Sequence, residues 1–258
     1  RLWGPGVLDM KAGIAFFIQG MRALRELDMK VNRPVRLWLA PDEETGSMGS
    51  RFLTEKQARA HSCVLVMEPG TGDDGQLKTA RKGVGVYTIT VRGVSSHAGV
   101  DFVSGASAIT ELAHQILRVS SFCDLRRGIT LNPGVIQGGT RHNVVADHAS
   151  VEIDVRVPRL RDYDPLDRRM HRLFAVDTRC QVTVEGGLNR PPMERSRAGT
   201  SLFRIAEQIA HKDLRRKIGQ SETGGGSDGN FTAALGIPTL DGLGAVGRGA
   251  HAADESIF

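Results

Sequence analysis

The succession of two kinds of apolar pattern constrains this chain more than any other feature. Residues 12–27 carry Ile14, Phe17, Ile18, Met21, Leu24 and Leu27 at spacings of three and four, which is the mark of an amphipathic helix. Residues 35–40 and 63–67 are short apolar runs of the kind seen in buried parallel strands, and 50–60 between them suits a helix. This α-β-α-β order builds a mostly parallel sheet with helices packed on it. The pattern changes at Lys82-Gly83. Strands are expected at 84–91, 128–137, 149–157 and 181–185, with helices at 104–119 and 164–175, in the β-α-β-β-α-β order of a ferredoxin-like unit. After Gly186-Gly187 and Pro191-Pro192 the α/β character returns, with a helix at 201–212, a glycine-rich loop at Gly224–Asn230 and a short strand near 237–240. The expected architecture is therefore an α/β domain made of 1–81 and 190–258, with an α+β domain at 82–189 inserted into it.

Composition narrows the class. With 258 residues, 40% hydrophobic and 24% charged, the chain has ample material for a core and is neither disordered nor collagen-like. Its net charge of +5 comes from basic residues scattered among acids and apolar residues, which argues against a nucleic-acid-binding surface. Cys63, Cys123 and Cys180 lie far apart with no CxxC pair, so neither a disulfide framework nor a thiolate metal site is indicated. No apolar run approaches the roughly 18 residues of a membrane span. The chain starts at Arg1 without a signal-type leader and stops at Ile257-Phe258 within an apolar stretch, so a piece of a longer protein is expected at both ends. The compartment stays open, the cytoplasm being expected and the periplasm the alternative.

The chemistry gathers just after predicted strands. Asp42-Glu43-Glu44 follows the run at 35–40 and Glu68 follows the run at 63–67, so both project to the rim where open parallel sheets bind ligands. Converging carboxylates raise one another's pKa unless a cation neutralises them, and a divalent metal is the simplest neutraliser. Asp9 precedes the first helix, and His251 lies in a loop of small residues after the last strand. Taken singly, Asp9 could be a helix cap, Glu43-Glu44 a solvated loop, Glu68 a turn residue and His251 a surface side chain. Taken together, oxygen ligands plus an imidazole suit zinc or another first-row divalent ion in an open catalytic site. The glycine loop lacks the lysine and hydroxyl of a Walker loop and the spacing of a dinucleotide fingerprint.

Gly4-Pro5-Gly6, Asp9-Met10-Lys11, Asp42-Glu43-Glu44-Thr45-Gly46-Ser47, Glu68-Pro69, Ser96-His97-Ala98-Gly99, Asn143-Val144-Val145, Asp154-Val155-Arg156, Gly224–Asp228 and His251 occur in the order found in one group of enzymes. The chain resembles the two-zinc aminoacylase and glutamate carboxypeptidase family of metallopeptidases, closest to the bacterial glutamate carboxypeptidase branch. The group also holds acetylornithine deacetylase and succinyl-diaminopimelate desuccinylase. The resemblance implies a zinc-exopeptidase-like catalytic domain and a lid that also forms a homodimer. It implies that Asp9 bridges two metals, that Glu44 and His251 hold one and Glu68 the other, and that Glu43 is the general base. His97 would stabilise the oxyanion in the partner's site. Arg156, Asn132 and the loop glycines Gly225 and Gly226 would hold the substrate carboxylate. Zinc is the expected cofactor, two ions per site, with cobalt or manganese as substitutes.

The family's first ligand, a histidine of a His-x-Asp motif upstream of Gly4, has no counterpart in this sequence. The one His-x-Asp present, His211-Lys212-Asp213, ends a helix. The expected activity is hydrolysis of an amide beside a free carboxylate in a small peptide or N-acyl amino acid. The alternatives are a deacylase of the acetylornithine or desuccinylase type and a metal-poor, non-catalytic binding or dimerisation module.

Overall fold

The computed structural model describes residues 1–258. In chain order its elements are β1 (Leu2–Trp3), α1 (Ala12–Glu26), α2 (Arg51–Arg59), β2 (Val64–Leu65), β3 (Leu77–Arg81), β4 (Gly83–Arg92), α3 (Ala108–Ser120), β5 (Thr130–Gly138), β6 (His148–Val157), α4 (Leu160–Met170), β7 (Gln181–Arg190), α5 (Arg197–Leu214), β8 (Gln220–Thr223), α6 (Gly229–Ala234), β9 (Thr239–Leu240), β10 (Gly247–Arg248) and β11 (Ser256–Ile257). They form two compact units, one of Arg1–Arg81 with Met193–Phe258 and one of Lys82–Pro192. No helix is long and apolar enough to cross a membrane.

In the unit 82–192 the four strands lie in the order β5-β6-β4-β7, every neighbouring pair antiparallel. Side chains alternate across a strand, so one face of β4 and β6 sends Tyr87, Ile89, Val91, Ile153, Val155 and Val157 into a core closed by Leu112 and Val119 of α3 and Leu166 and Met170 of α4. Helix α4 runs Leu160–Met170 rather than over 164–175, and two further differences from the sequence reading have local reasons. Helix α3 starts at Ala108 rather than 104 because the Ser107 hydroxyl caps it, accepting from the Thr110 N–H. Strand β7 runs through Gly186-Gly187, expected to end it, because those residues face Tyr87 and Val86 of β4. A Cβ on Gly186 would lie 2.1 Å from the Val86 carbonyl oxygen, so the glycine permits the close approach instead of breaking the strand.

The other unit holds two parallel pairs, β2–β9 and β3–β8, and a small antiparallel sheet in the order β1-β11-β10. The expected single, mostly parallel sheet is therefore present as separate parallel pairs. Residues 35–40, expected as a strand, are not in a ladder, because no other segment of the chain lies alongside to pair with them. Val35, Leu37 and Leu39 are exposed, and Trp38 is tied to α2 by an indole N–H donated to Thr54 Oγ1 at 3.0 Å. Small apolar clusters fix the remaining elements, Leu77 with Phe203 and Leu240, and Leu8 with Ala12 and Ala245.

A buried carboxylate braces the unit 82–192. Glu111 of α3 is 2% exposed and accepts from the backbone N–H groups of Val176 (3.0 Å) and Asp177 (2.9 Å) and from Gln115 Nε2 (2.6 Å). Burial alone would push its pKa up, but these donors hold it below the usual glutamate value. A depressed folded-state pKa contributes stability above the unfolded value that is lost as pH falls through the folded one. Glu111→Gln is therefore expected to cost about 1–3 kcal/mol at neutral pH, the range for leaving buried donors unpaired. The gap between parent and variant should close below about pH 4. Thermal melts across pH check this, and an equal gap at pH 3 and pH 7 would contradict it.

Candidate metal centre

Four loops of the unit 1–81/193–258 bring carboxylates and one imidazole to a single cleft of about 450 Å³. Asp9 sits in a wide helical turn, Val7–Lys11, ahead of α1, and the turn is entered through Gly6 in the left-handed region (φ 70°). Glu43 and Glu44 occupy a tight turn, Glu43–Thr45, closed by left-handed Gly46 (φ 95°). That loop is drawn together by Asp42, whose Oδ2 accepts from the N–H groups of Gly49 (2.8 Å) and Ser50 (3.2 Å). Glu68 follows β2, where neighbouring backbone passes so close that a Cβ on Gly13 or Gly244 would lie 2.1 or 2.3 Å from the Met67 carbonyl oxygen. His251, itself left-handed (φ 64°), lies in the turn between β10 and β11.

His251 Nε2 stands 3.2 Å from Asp9 Oδ2 and 3.4 Å from Glu44 Oε1. The ligand atoms of Asp9, Glu44 and His251 all lie within 4.8 Å of one another. Two carboxylate oxygens and an imidazole nitrogen in that space fit one divalent cation. Glu68 lies deeper, and burial, reinforced by the charges of Asp9 and Asp241, pushes its pKa up to about 8. A carboxylate held neutral by its surroundings near pH 7 is one that a second cation would ionise. Glu44 and then Asp9 raise the His251 pKa above its ordinary value of 6.5.

A buried ion pair forms the cleft's inner wall. Arg81 at the end of β3 donates through Nε and Nη2 to both oxygens of Asp241 (2.7 and 3.0 Å), while its Nη1 reaches the carbonyls of Gly225 and Gly226 (3.1 and 3.0 Å). Ser227 Oγ adds a bond to Asp241 at 2.7 Å, and Ser47 Oγ reaches Asp228 Oδ1 at 2.5 Å. The glycine-rich loop is thus pinned from both sides, its N–H-bearing backbone left along the cleft. Lys78, also lining the cleft, has its pKa lowered by burial.

Asp9, Glu43, Glu44, Glu68, Gly225, Gly226 and His251 therefore line one cleft. His97, Asn132 and Arg156 belong to the other unit. There His97 bridges to Val144, and its Nδ1 accepts from the Gly99 N–H at 3.1 Å. Arg156 on β6 holds Asp154 in a two-pronged pair (Nε–Oδ1 2.8 Å, Nη2–Oδ2 2.7 Å), and Asn132 on β5 sits directly opposite Asp154. The sequence reading missed Lys78, Arg81, Asp241 and Glu255. Asp241 was findable, since it follows a short apolar strand just as Glu68 does.

The family described as peptidase family M20/M25/M40 matches residues 1–258. Among curated proteins the chain is 28% identical over 257 residues to carboxypeptidase G2 of Pseudomonas sp. (strain RS-16), covering 97% of this chain and 61% of that protein. Among solved structures it is similar to aminopeptidase PepT from Bacillus cereus ATCC 10987, with a TM-score of 0.79 and 26% identity over 96% of this chain and 65% of that one. It also shares the fold of the M20 family metallo-carboxypeptidase Sso-CP2 from Sulfolobus solfataricus, with a TM-score of 0.75 and 16% identity over 99% of this chain and 73% of that one. The chain spans less than two thirds of the length of the first two proteins.

A ligand imidazole must be neutral, so protons compete with metal for His251. Affinity for a divalent cation is expected to hold above the raised His251 pKa and to weaken as pH falls through it. His251→Ala or Glu44→Gln should weaken zinc binding by more than about tenfold. Competition with a coloured chelator from pH 5 to 8 measures both, and a pH-independent affinity unmoved by either substitution would remove the ligand assignment.

Proposed function

The chain belongs to peptidase family M20/M25/M40, a family of metal-dependent hydrolases, and from that premise we propose that it cleaves an amide bond beside a free carboxylate. The substrate would be the carboxy-terminal residue of a small peptide or an N-acyl amino acid, in the manner of a glutamate carboxypeptidase. One observation carries the reading. Glu43 and Glu44 are consecutive in one tight turn and line the same cleft, but only Glu44 joins Asp9 and His251 in the ligand cluster. Glu43 is thus a carboxylate beside the metal position rather than part of it, which is where a general base belongs. The similarity to carboxypeptidase G2 favours the carboxypeptidase form of the reaction.

Zinc is the proposed metal, with cobalt or manganese as substitutes. When bound, it supplies Lewis-acid polarisation of the scissile carbonyl and acidifies water in the site. The chain's own residues do the rest. Glu43 takes the proton of the attacking water and delivers it to the leaving amine nitrogen. The Gly225-Gly226 backbone, pinned by Arg81, borders the place for the substrate carboxylate. In the unit 82–192, proposed as lid and homodimer contact, Arg156 and Asn132 are the proposed carboxylate-binding side chains and His97 the proposed oxyanion donor to the partner's site.

In the full-length protein, Glu43→Gln is expected to lower kcat about 10²- to 10⁴-fold while leaving metal content unchanged. A panel of dipeptides, acyl-glutamates and N-acyl amino acids serves as substrates, with bound zinc measured by elemental analysis. Unimpaired hydrolysis by the variant would refute the reading, and turnover confined to acetylated or succinylated amines would move the protein to the deacylases.

A further inference from the structure

One carboxylate near the centre is used by none of the steps above. Glu255 lies four residues after His251, is 3% exposed and points back at the turn that carries Asp9. Its Oε1 accepts from the backbone N–H groups of Leu8 (2.8 Å) and Asp9 (2.9 Å), and its Oε2 accepts from Gly6 N–H. Its own carbonyl accepts from Gly4 N–H at 3.1 Å, and the neighbouring Ser256 and Ile257 pair with Trp3 and Leu2. On its other side the Glu255 N–H donates to Ala252, within the turn that presents His251. Glu255 thus belongs to the His251 turn and holds the backbone of the Asp9 turn through its side chain, whereas His251 reaches the Asp9 carboxylate.

We propose that Glu255 is a positioning residue that sets the spacing between Asp9 and His251, and hence the affinity and geometry of the metal centre. The chemistry requires a carboxylate. Three N–H donors converge on its two oxygens, and only an ionised carboxyl accepts at both. A glutamine has one acceptor oxygen, so its amide N–H₂ would face at least one backbone donor and push the Asp9 turn away. The proposal rests on Asp9, Glu44 and His251 being metal ligands.

The test is titration of the full chain with zinc against a competing chelator, together with the visible spectrum of the cobalt(II) form, for the parent, Glu255→Gln, Glu255→Asp and His251→Ala. Each is measured at a temperature where circular dichroism shows it fully folded, so that affinity reports geometry and not stability. Glu255→Gln is expected to bind zinc about 10- to 100-fold more weakly, the usual effect of removing a group that orients a ligand, and to shift the cobalt bands. Glu255→Asp, which keeps the charge but loses reach, should fall between it and the parent. Parent-like affinity and spectrum in folded Glu255→Gln would overturn the proposal, and if that variant does not fold, parent-like values in Glu255→Asp would do so. If His251→Ala also binds like the parent, the ligand assignment itself fails. Loss in His251→Ala with no change at position 255 rejects the positioning role alone.

Discussion

Mutual repulsion among carboxylates is the constraint around which the cleft is organised. Asp9, Glu43, Glu44 and Glu68 open onto one space, and Asp241 lies buried behind it. Like charges so placed cannot all ionise without compensation. The chain answers in two ways. Asp241 is held in a two-pronged pair by Arg81, both partners being almost fully buried. Such a pair stands because its remaining hydrogen-bonding capacity is filled by Ser227 and the glycine-loop carbonyls. Asp9 and Glu44 face His251, while burial, reinforced by the charges of Asp9 and Asp241, holds the Glu68 pKa up. The clustered carboxylates of the cleft favour a cation among them.

The two units reach their folds by different means. The unit 82–192 is held by a continuous core beneath one four-stranded sheet. The other relies on short ladders, small apolar clusters and polar clasps such as Arg81–Asp241 and Glu255. Polar clasps stabilise less than a core of that extent but specify geometry more sharply, which suits the part of the chain that must place ligand atoms to within fractions of an ångström.

Much of this was legible in the residues. Strands β4 and β6 were read from an alternation that records which face is buried, and helix α1 from its three-and-four spacing, although Ile14, Phe17, Met21 and Leu24 are only half-buried and Ile18 is exposed. The cleft acids were legible as carboxylates following apolar runs. Three things were not. Residues 35–40 have the composition of a strand, but pairing depends on a neighbour that composition does not encode. Gly186-Gly187 reads as a break, yet the absence of a Cβ is what admits β7 against β4. Arg81 and Glu255 carry no local signature, since their importance comes from partners far away in sequence, such as Asp241 for the first and Leu8 and Asp9 for the second.

That last separation bears on how the protein matures. Asp9 and His251 are 242 positions apart, and the pairing of β1 with β11 sets Leu2 opposite Ile257 and Trp3 opposite Ser256. Contacts of this range carry the largest loop-closure entropy and form late in folding. During synthesis Asp9, Glu44 and His251 cannot meet until residue 251 has emerged and β1 has paired with β11. A cation held by this triad would therefore fasten a long-range closure between segments far apart in sequence.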